Sequence, residues 1–309
     1  MAPRPLIIDC DPGVDDAVAL LLAFAAPDAF DILGVTTVAG NVNGALTAHN
    51  ACIIRALAAR EDVPVFSGAD RPLLAAAVEA GHFHGENGLG DLVFPAPHKG
   101  VETKGAVAFL TETLTKAAPQ SVSLAVMGPL TNVALALRTA PACAQGLREI
   151  VIMGGARSEG GNITASAEFN IYADPHAAQI VFSSGLPIVT LGLDATHQVR
   201  TDPARMARLE KLNTSRAQTA WKLLHFSEQV ERDLAQRTGA PLHDPAVIAY
   251  LLAPHLFESR AARIDVETES ALTRGHTAVE FRLSAPSATK WVTRVDADAV
   301  FDLLNERLA

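Results

Sequence analysis

With 309 residues, 49% of them apolar and only 5% aromatic, the chain is long enough to bury one large core. A formal charge of −9, with Lys and Arg scattered instead of striped, argues against a nucleic-acid partner and favours a neutral substrate over a polyanion. Cys10, Cys52 and Cys143 form neither a CxxC pair nor an even disulfide set, so a reducing, cytoplasmic setting is expected. The apolar stretch Leu6–Ile8 is too short for a signal segment. Leu20–Phe24, close behind Asp11, Asp15 and Asp16, is no membrane span, so no membrane partner is expected.

In chain order, the first β-branched run, Leu6–Cys10, predicts a strand, and Asp15–Ala25 a helix. Asp31–Val38 predicts a second strand backed by a helix over Gly44–Ala58, and Val63–Phe66 a short third strand. From Gly81 to Gly100 the chain is rich in Gly, His and Pro, which reads as a long functional loop. Lys104–Lys116 predicts a helix, Ser121–Met127 a strand, Leu130–Leu137 a helix and Glu149–Met153 a buried strand. A second polar, Gly-rich loop runs from Ala156 to Asn170. Asp174-Pro175 then supplies an N-cap and a first-turn proline for the next helix. Pro187–Leu191 predicts a strand, Asp202 to Gln236 a charged helical stretch, and His243–Leu252 a helix stopped by Pro254. Ile264–Thr268, Thr277–Leu283 and Lys290–Val295 predict terminal strands, and Asp296–Leu308 a closing helix.

This alternation predicts an α/β fold with an open, mostly parallel sheet flanked by helices. No repeat or linker-like shift interrupts it, so residues 1–309 are expected to form a single domain. Ligands of such sheets bind beyond the carboxyl ends of the strands. Asp11, Asn41, Met127-Gly128 and Met153-Gly154 all follow predicted strands.

The most informative stretch is Asp9-Cys10-Asp11-Pro12-Gly13-Val14-Asp15-Asp16-Ala17. Carboxylates crowded at the mouth of an apolar strand repel one another unless a cation or water relieves them. Oxygen donors of this kind suit Ca2+ or Mg2+ rather than zinc. Pro12-Gly13 makes the turn that lets Asp11 and the Asp15/Asp16 pair face one point. Asp15 and Asp16 also suit the start of a helix. Asp9 alternates away from Asp11 and reads as structural. A phosphatase whose first strand ends in Asp-x-Asp is a rival reading, weakened by Gly13 two residues after Asp11 and by the further aspartates.

The same stretch resembles the N-terminal fingerprint of the inosine-uridine nucleoside hydrolase family. The likeness continues through Val38-Ala39-Gly40-Asn41-Val42, His84-Gly85-Glu86-Asn87-Gly88-Leu89-Gly90 and Gly128-Pro129-Leu130-Thr131-Asn132. Met153-Gly154-Gly155, Ala167-Glu168-Phe169-Asn170, Leu242-His243-Asp244-Pro245 and Leu272-Thr273-Arg274-Gly275 follow in order over most of the chain.

The resemblance implies hydrolysis of the N-glycosidic bond of ribonucleosides by a water held on one Ca2+. Asp11, Asp16, Asp244 and the Met127 carbonyl would ligate that ion. Asp11 would also take the water's proton, and the bond would break through an oxocarbenium-like state. Asp15 and Asn41 would hold ribose hydroxyls, and Asn162, Glu168 and Asn170 the rest of the sugar, above Met153. His243 would protonate the departing base, with His84 beside it. Asp244 reads equally as an N-cap ahead of Pro245, and Asn162 and Asn170 as ordinary loop polarity. The absence of a tyrosine among Trp221, His225 and Phe226 leans toward pyrimidine or broad base preference. A homodimer or homotetramer is also implied. Two alternatives stay open: a metal-dependent phosphatase, and a non-catalytic riboside-binding module, which would be expected to lack one of Asp11, Asp16 or Asp244.

Overall fold

The computed structural model describes every residue except Met1 and Ala235. Its elements run β1 (Arg4–Cys10), α1 (Val14–Phe24), β2 (Phe30–Thr37), α2 (Gly44–Leu57), β3 (Val65–Ser67), α3 (Gly81–His84), α4 (Ala106–Lys116), β4 (Val122–Val126) and α5 (Thr131–Thr139). They continue with β5 (Leu147–Met153), α6 (Phe169–Ala173), α7 (Pro175–Phe182), β6 (Ile188–Leu191), α8 (Leu193–Thr196), α9 (Pro203–Glu210), α10 (Ser215–Leu234) and α11 (His243–Leu252). The last are β7 (Phe257–Ala261), β8 (Arg263–Val266), β9 (Thr277–Glu280), β10 (Thr289–Val295) and α12 (Ala297–Leu308).

Eight strands form one sheet in the order β3-β2-β1-β4-β5-β6-β10-β7, parallel except for the antiparallel edge pair β10–β7. Because both faces are covered, its central strands are mostly apolar, with Asp9 and Ser123 buried among them. In β1, Leu6, Ile8 and Cys10 join one buried cluster while Ile7 joins the other. The first cluster is shared with α1, α2, α10, α11 and α12, the second with α4, α5 and α7. The predicted open, mostly parallel α/β sheet is therefore observed.

Three expectations need correction. The helical stretch Asp202–Gln236 is two helices, α9 and α10, with Ala235 outside the described residues. Asp202 caps α9 by accepting from the Ala204 and Arg205 amides, and Thr214 Oγ1 accepts from the Ala217 amide at the start of α10. Of the predicted terminal strands, β8 and β9 pair only with each other, while β10 inserts into the main sheet. The edge strand β7 went unpredicted because only its first residue, Phe257, is buried, so no alternating pattern marks it. The two long loops also carry short helices, α3 within the first and α6 at the end of the second.

Candidate active site

The carboxyl ends of β1, β2, β4 and β5 meet at a cavity of about 250 Å³ whose lining includes Asp15, Asn41, His84, Met127, Met153, Asn162, Glu168, Asn170, His243 and Asp244. Asp11 and Asp16 lie beneath it, fully buried.

The turn after β1 is held by its own carboxylates. Asp16, in the first turn of α1, accepts from the Asp11 amide at 3.1 Å and the Gly13 amide at 3.0 Å, reaching back over the helix start. Asn41 Nδ2 donates to Asp16 Oδ2 (3.0 Å) and to the Asp11 carbonyl (3.1 Å), and its amide donates to Asp11 Oδ2 (2.8 Å). Asn41 thus fastens the ends of β1 and β2 together. Glycines make room for this: a Cβ at Gly40 would lie 2.0 Å from Asp11 Oδ2, and one at Gly128 would lie 2.5 Å from Asp11 Oδ1. Asp9, expected to be structural, points elsewhere, receiving the Thr36 hydroxyl at 2.5 Å and Asn132 Nδ2 at 2.8 Å.

One oxygen each of Asp15, Asp16 and Asp244 lie within 4.8 Å of one another, a group that could hold a metal ion. The set differs from the expected trio by having Asp15 where Asp11 was named. Asp11 adjoins it through Asp16. Asp244 lies in the first turn of α11, whose N-cap is Leu242, so the N-cap reading of Asp244 is corrected. Its carboxylate joins the cluster instead.

Burial is the main force on these groups. It pushes the Asp16 carboxyl up to about 7 and those of Asp11 and Asp244 well above the usual range, with neighbouring carboxylates adding to each shift. Asp11 Oδ1 and Asp15 Oδ1 are buried without a hydrogen-bond partner. Among the described residues no Lys or Arg pairs with the cluster. Its one ion-pair contact is His84 Nδ1 at 3.8 Å from Asp15 Oδ1. Buried carboxylate oxygens without a hydrogen-bond partner or a fixed cationic side chain fit a hard cation. Cys10 does not compete for it, since its Sγ is directed at the Thr36 carbonyl.

The sugar-side candidates are more entangled in structure than the sequence suggests. Asn170 Nδ2 donates to the Met127 carbonyl at 2.8 Å and the Met153 carbonyl at 3.2 Å, joining β4 to β5. Glu168 accepts from the amides of Gly155 (2.9 Å), Asn170 (3.0 Å) and Ile171 (3.2 Å), so its expected partner is in large part the start of α6. Burial nevertheless pushes its carboxyl up to about 7. Asn162 Oδ1 accepts from the Phe169 amide at 2.9 Å, closing the loop before α6.

Of the histidines, His84 Nδ1 accepts from the Val14 amide at 3.1 Å. His243 Nδ1 lies 2.8 Å from Thr196 Oγ1, and burial pushes its pKa down to about 4. That shift opposes a standing proton on the residue expected to act as leaving-group acid.

Sequence reasoning missed much of the far wall, which includes Phe83, Ile163, His197, Ser227, Val230, Glu231 and Arg237. Ser227, Val230 and Glu231 share a face of α10 that reads in sequence as a solvated stripe. His197 follows β6 and was reachable by the strand-end rule. Trp221 and Phe226 do not line the cavity. Both pack against the core, and Trp221 stacks on His225 with centroids 5.1 Å apart.

The profile of the family described as inosine-uridine preferring nucleoside hydrolase matches residues 6–302. A pyrimidine-specific ribonucleoside hydrolase, RihA, of Photobacterium profundum is 44% identical over 309 residues, covering 99% of each chain. Two solved structures superpose with a TM-score of 0.92 at 30% identity: a plant nucleoside hydrolase, PpNRh1, covering 99% of both chains, and a purine-preferring ribonucleoside hydrolase from Gardnerella vaginalis, covering 99% of this chain and 98% of that one. The strand-end carboxylates, the cavity above them and the match across nearly the whole chain lead to one conclusion: this chain belongs to the inosine-uridine preferring nucleoside hydrolase family and is a ribonucleoside hydrolase that cleaves N-glycosidic bonds.

Proposed function

We propose that the chain is a Ca2+-dependent ribonucleoside hydrolase with a preference for pyrimidine nucleosides, acting as a single domain in a homodimer or homotetramer. The observation that carries the metal reading is the pair of buried carboxylate oxygens, Asp11 Oδ1 and Asp15 Oδ1, left without a hydrogen-bond partner and, among the described residues, without a Lys or Arg beside them. Asp11, Asp16, Asp244 and the Met127 carbonyl would hold the ion, with Asp15 at its edge. The all-oxygen donor set favours Ca2+ over zinc. Once bound, Ca2+ would polarise the attacking water and the vicinal ribose hydroxyls.

The protein's own groups do the rest. Asp11, whose Oδ1 is free of protein partners, accepts the water's proton. Asp15 and Asn41 orient the ribose hydroxyls, and Asn162, Glu168 and Asn170 fix the remainder of the sugar over Met153. Holding the sugar against the nucleophile is worth several powers of ten in rate. The glycosidic bond then opens through an oxocarbenium-like state. His84 and His243 face the base from two sides as hydrogen-bonding groups.

The pyrimidine preference rests on two supports. Curated relatives at 40–44% identity are named pyrimidine-specific, whereas a structure named purine-preferring is 30% identical. The far wall also presents Ser227, Glu231 and Arg237, with no tyrosine or tryptophan among its lining residues. Polar groups of this kind suit the amide edge of a small pyrimidine better than the broad face of a purine. Three free, buried cysteines support a cytoplasmic setting. No helix among the described residues is long and apolar enough to cross a membrane.

The test is ribose release from uridine, cytidine, inosine and adenosine, with chelated enzyme and Asp11→Ala as controls. The reading predicts Ca2+-restored release, fastest from the pyrimidines and lost in the variant. Equal release in chelator would overturn the metal, and faster release from inosine would overturn the base preference.

A further inference from the structure

Two pocket histidines, His82 and His197, have no role so far, and of these it is His197 that makes a carboxylate contact. His197 sits immediately after α8 and lines the cavity, its ring centroid 5.7 Å from that of His243. Its Nδ1 lies 3.0 Å from Glu159 Oε2, on the Gly-rich loop between β5 and α6. The His197 side chain is 15% exposed and that of Glu159 is 46% exposed. Resting on the ribohydrolase reading, we infer that His197, oriented by Glu159, is a further proton donor to the departing base.

Three features separate His197 from the neighbouring histidines. Its carboxylate contact, at 3.0 Å, is closer than the 3.8 Å between His84 and Asp15. A carboxylate at that distance accepts from Nδ1–H, which fixes the ring and leaves its Nε2 edge to meet a ligand. His84 spends its Nδ1 lone pair on the Val14 amide, and His243 is tied at Nδ1 to the Thr196 hydroxyl. The preceding residue, Thr196, therefore orients His243 while His197 itself offers the proton. Finally, the half-exposed Glu159 opens the pair to water, so the donor can be recharged from solvent without crossing the buried cluster.

The step balances. The glycosidic bond breaks with its electron pair passing to the base, whose nitrogen or conjugated keto oxygen takes the Nε2 proton of His197. The water oxygen bonds to the anomeric carbon and gives its proton to Asp11. The products are neutral free base and ribose, and His197 regains a proton from solvent as Asp11 loses one. A tether bracing the Gly-rich loop is the competing role for the same pair, and the two differ in their dependence on the leaving group.

Wild type, His197→Ala and Glu159→Gln are compared on uridine and on para-nitrophenyl β-D-ribofuranoside, whose phenolate departs without a proton. The expected result for His197→Ala is a loss of about a hundredfold in kcat on uridine, with KM and nitrophenyl-riboside turnover changed by no more than about threefold. Glu159→Gln should lose about tenfold on uridine alone. Parallel losses on both substrates would mean a structural tether, and no loss on uridine would mean a spectator. Either overturns the inference. Wild type inactive on both substrates would instead overturn the ribohydrolase reading on which it rests.

Discussion

The two ends of the cavity are built on different principles. The carboxylate end stands on adjacent strands of the sheet: Asp11 follows β1, Asn41 follows β2, and Met127 follows β4, with backbone amides and Asn41 fixing the carboxylates of Asp11 and Asp16. The base end is assembled from pieces that the sheet does not order: α3, the C-terminal half of α10, and the segment 237–241. Even its ties are long-range, as when Arg200 reaches Glu231 on α10 at 2.8 Å and also bonds the Thr238 and Gly239 carbonyls. An end fixed to strand termini suits chemistry, which needs a set geometry. An end made of helix termini and loops suits selectivity, which can vary without disturbing the reaction.

The sharpest way to break this contrast is at Asp11. Asp11→Ala should lower kcat about a thousandfold on every nucleoside alike, measured as ribose release, because it removes the proton acceptor common to all. A loss confined to one base would dissolve the distinction between the two ends. Next comes the room around that carboxylate. Gly40→Ala or Gly128→Ala drives a Cβ into Asp11 and should cost at least about tenfold in Ca2+ affinity, read by calorimetry, with base preference unchanged. At the other end, Glu231→Ala should shift the uridine-to-inosine ratio of kcat/KM by about tenfold. It should leave Ca2+ affinity where it was.

A last effect, on stability and not on turnover, concerns Glu168, which serves structure as much as substrate. Its carboxyl is raised to about 7 in the folded chain from 4.5. The native state therefore holds the extra proton between those values, and stability falls as pH rises through that window. The cost is absent below the lower value and complete above the upper one, on the order of 3 kcal/mol. In chelator, Glu168→Gln should make that part of the stability curve shallower, leaving the slope due to Asp9 and Asp16, measured by urea unfolding from pH 4.5 to 7.

What the sequence disclosed follows the same division. The fold was legible because strand and helix periods alternate cleanly, and the metal end because its residues sit in short contiguous motifs behind strands. Asp16 and Gly13 are three residues apart and bond each other, so the turn is written locally. Asp244 was readable only through resemblance, since nothing local distinguishes a cluster member from an N-cap. Ser227, Val230 and Glu231 look like any solvated helical face. Their function depends on where α10 ends against the segment 237–241, a tertiary fact without a local signature. Glu168 was half legible: its need for partners could be inferred, but not that three backbone amides would supply them.

Everything at the carboxylate end depends on a cation completing the buried carboxylates. Calorimetric titration of chelated protein with CaCl2 at pH 7, in buffers of differing ionisation enthalpy, tests it most directly. One ion should bind per chain with release of protons, because burial raises the carboxyls of Asp11, Asp16 and Asp244, that of Asp16 to about 7, and a bound cation needs them ionised. Binding should weaken as pH falls and vanish in Asp16→Asn. No binding by wild type, or binding unchanged in that variant, would contradict the claim.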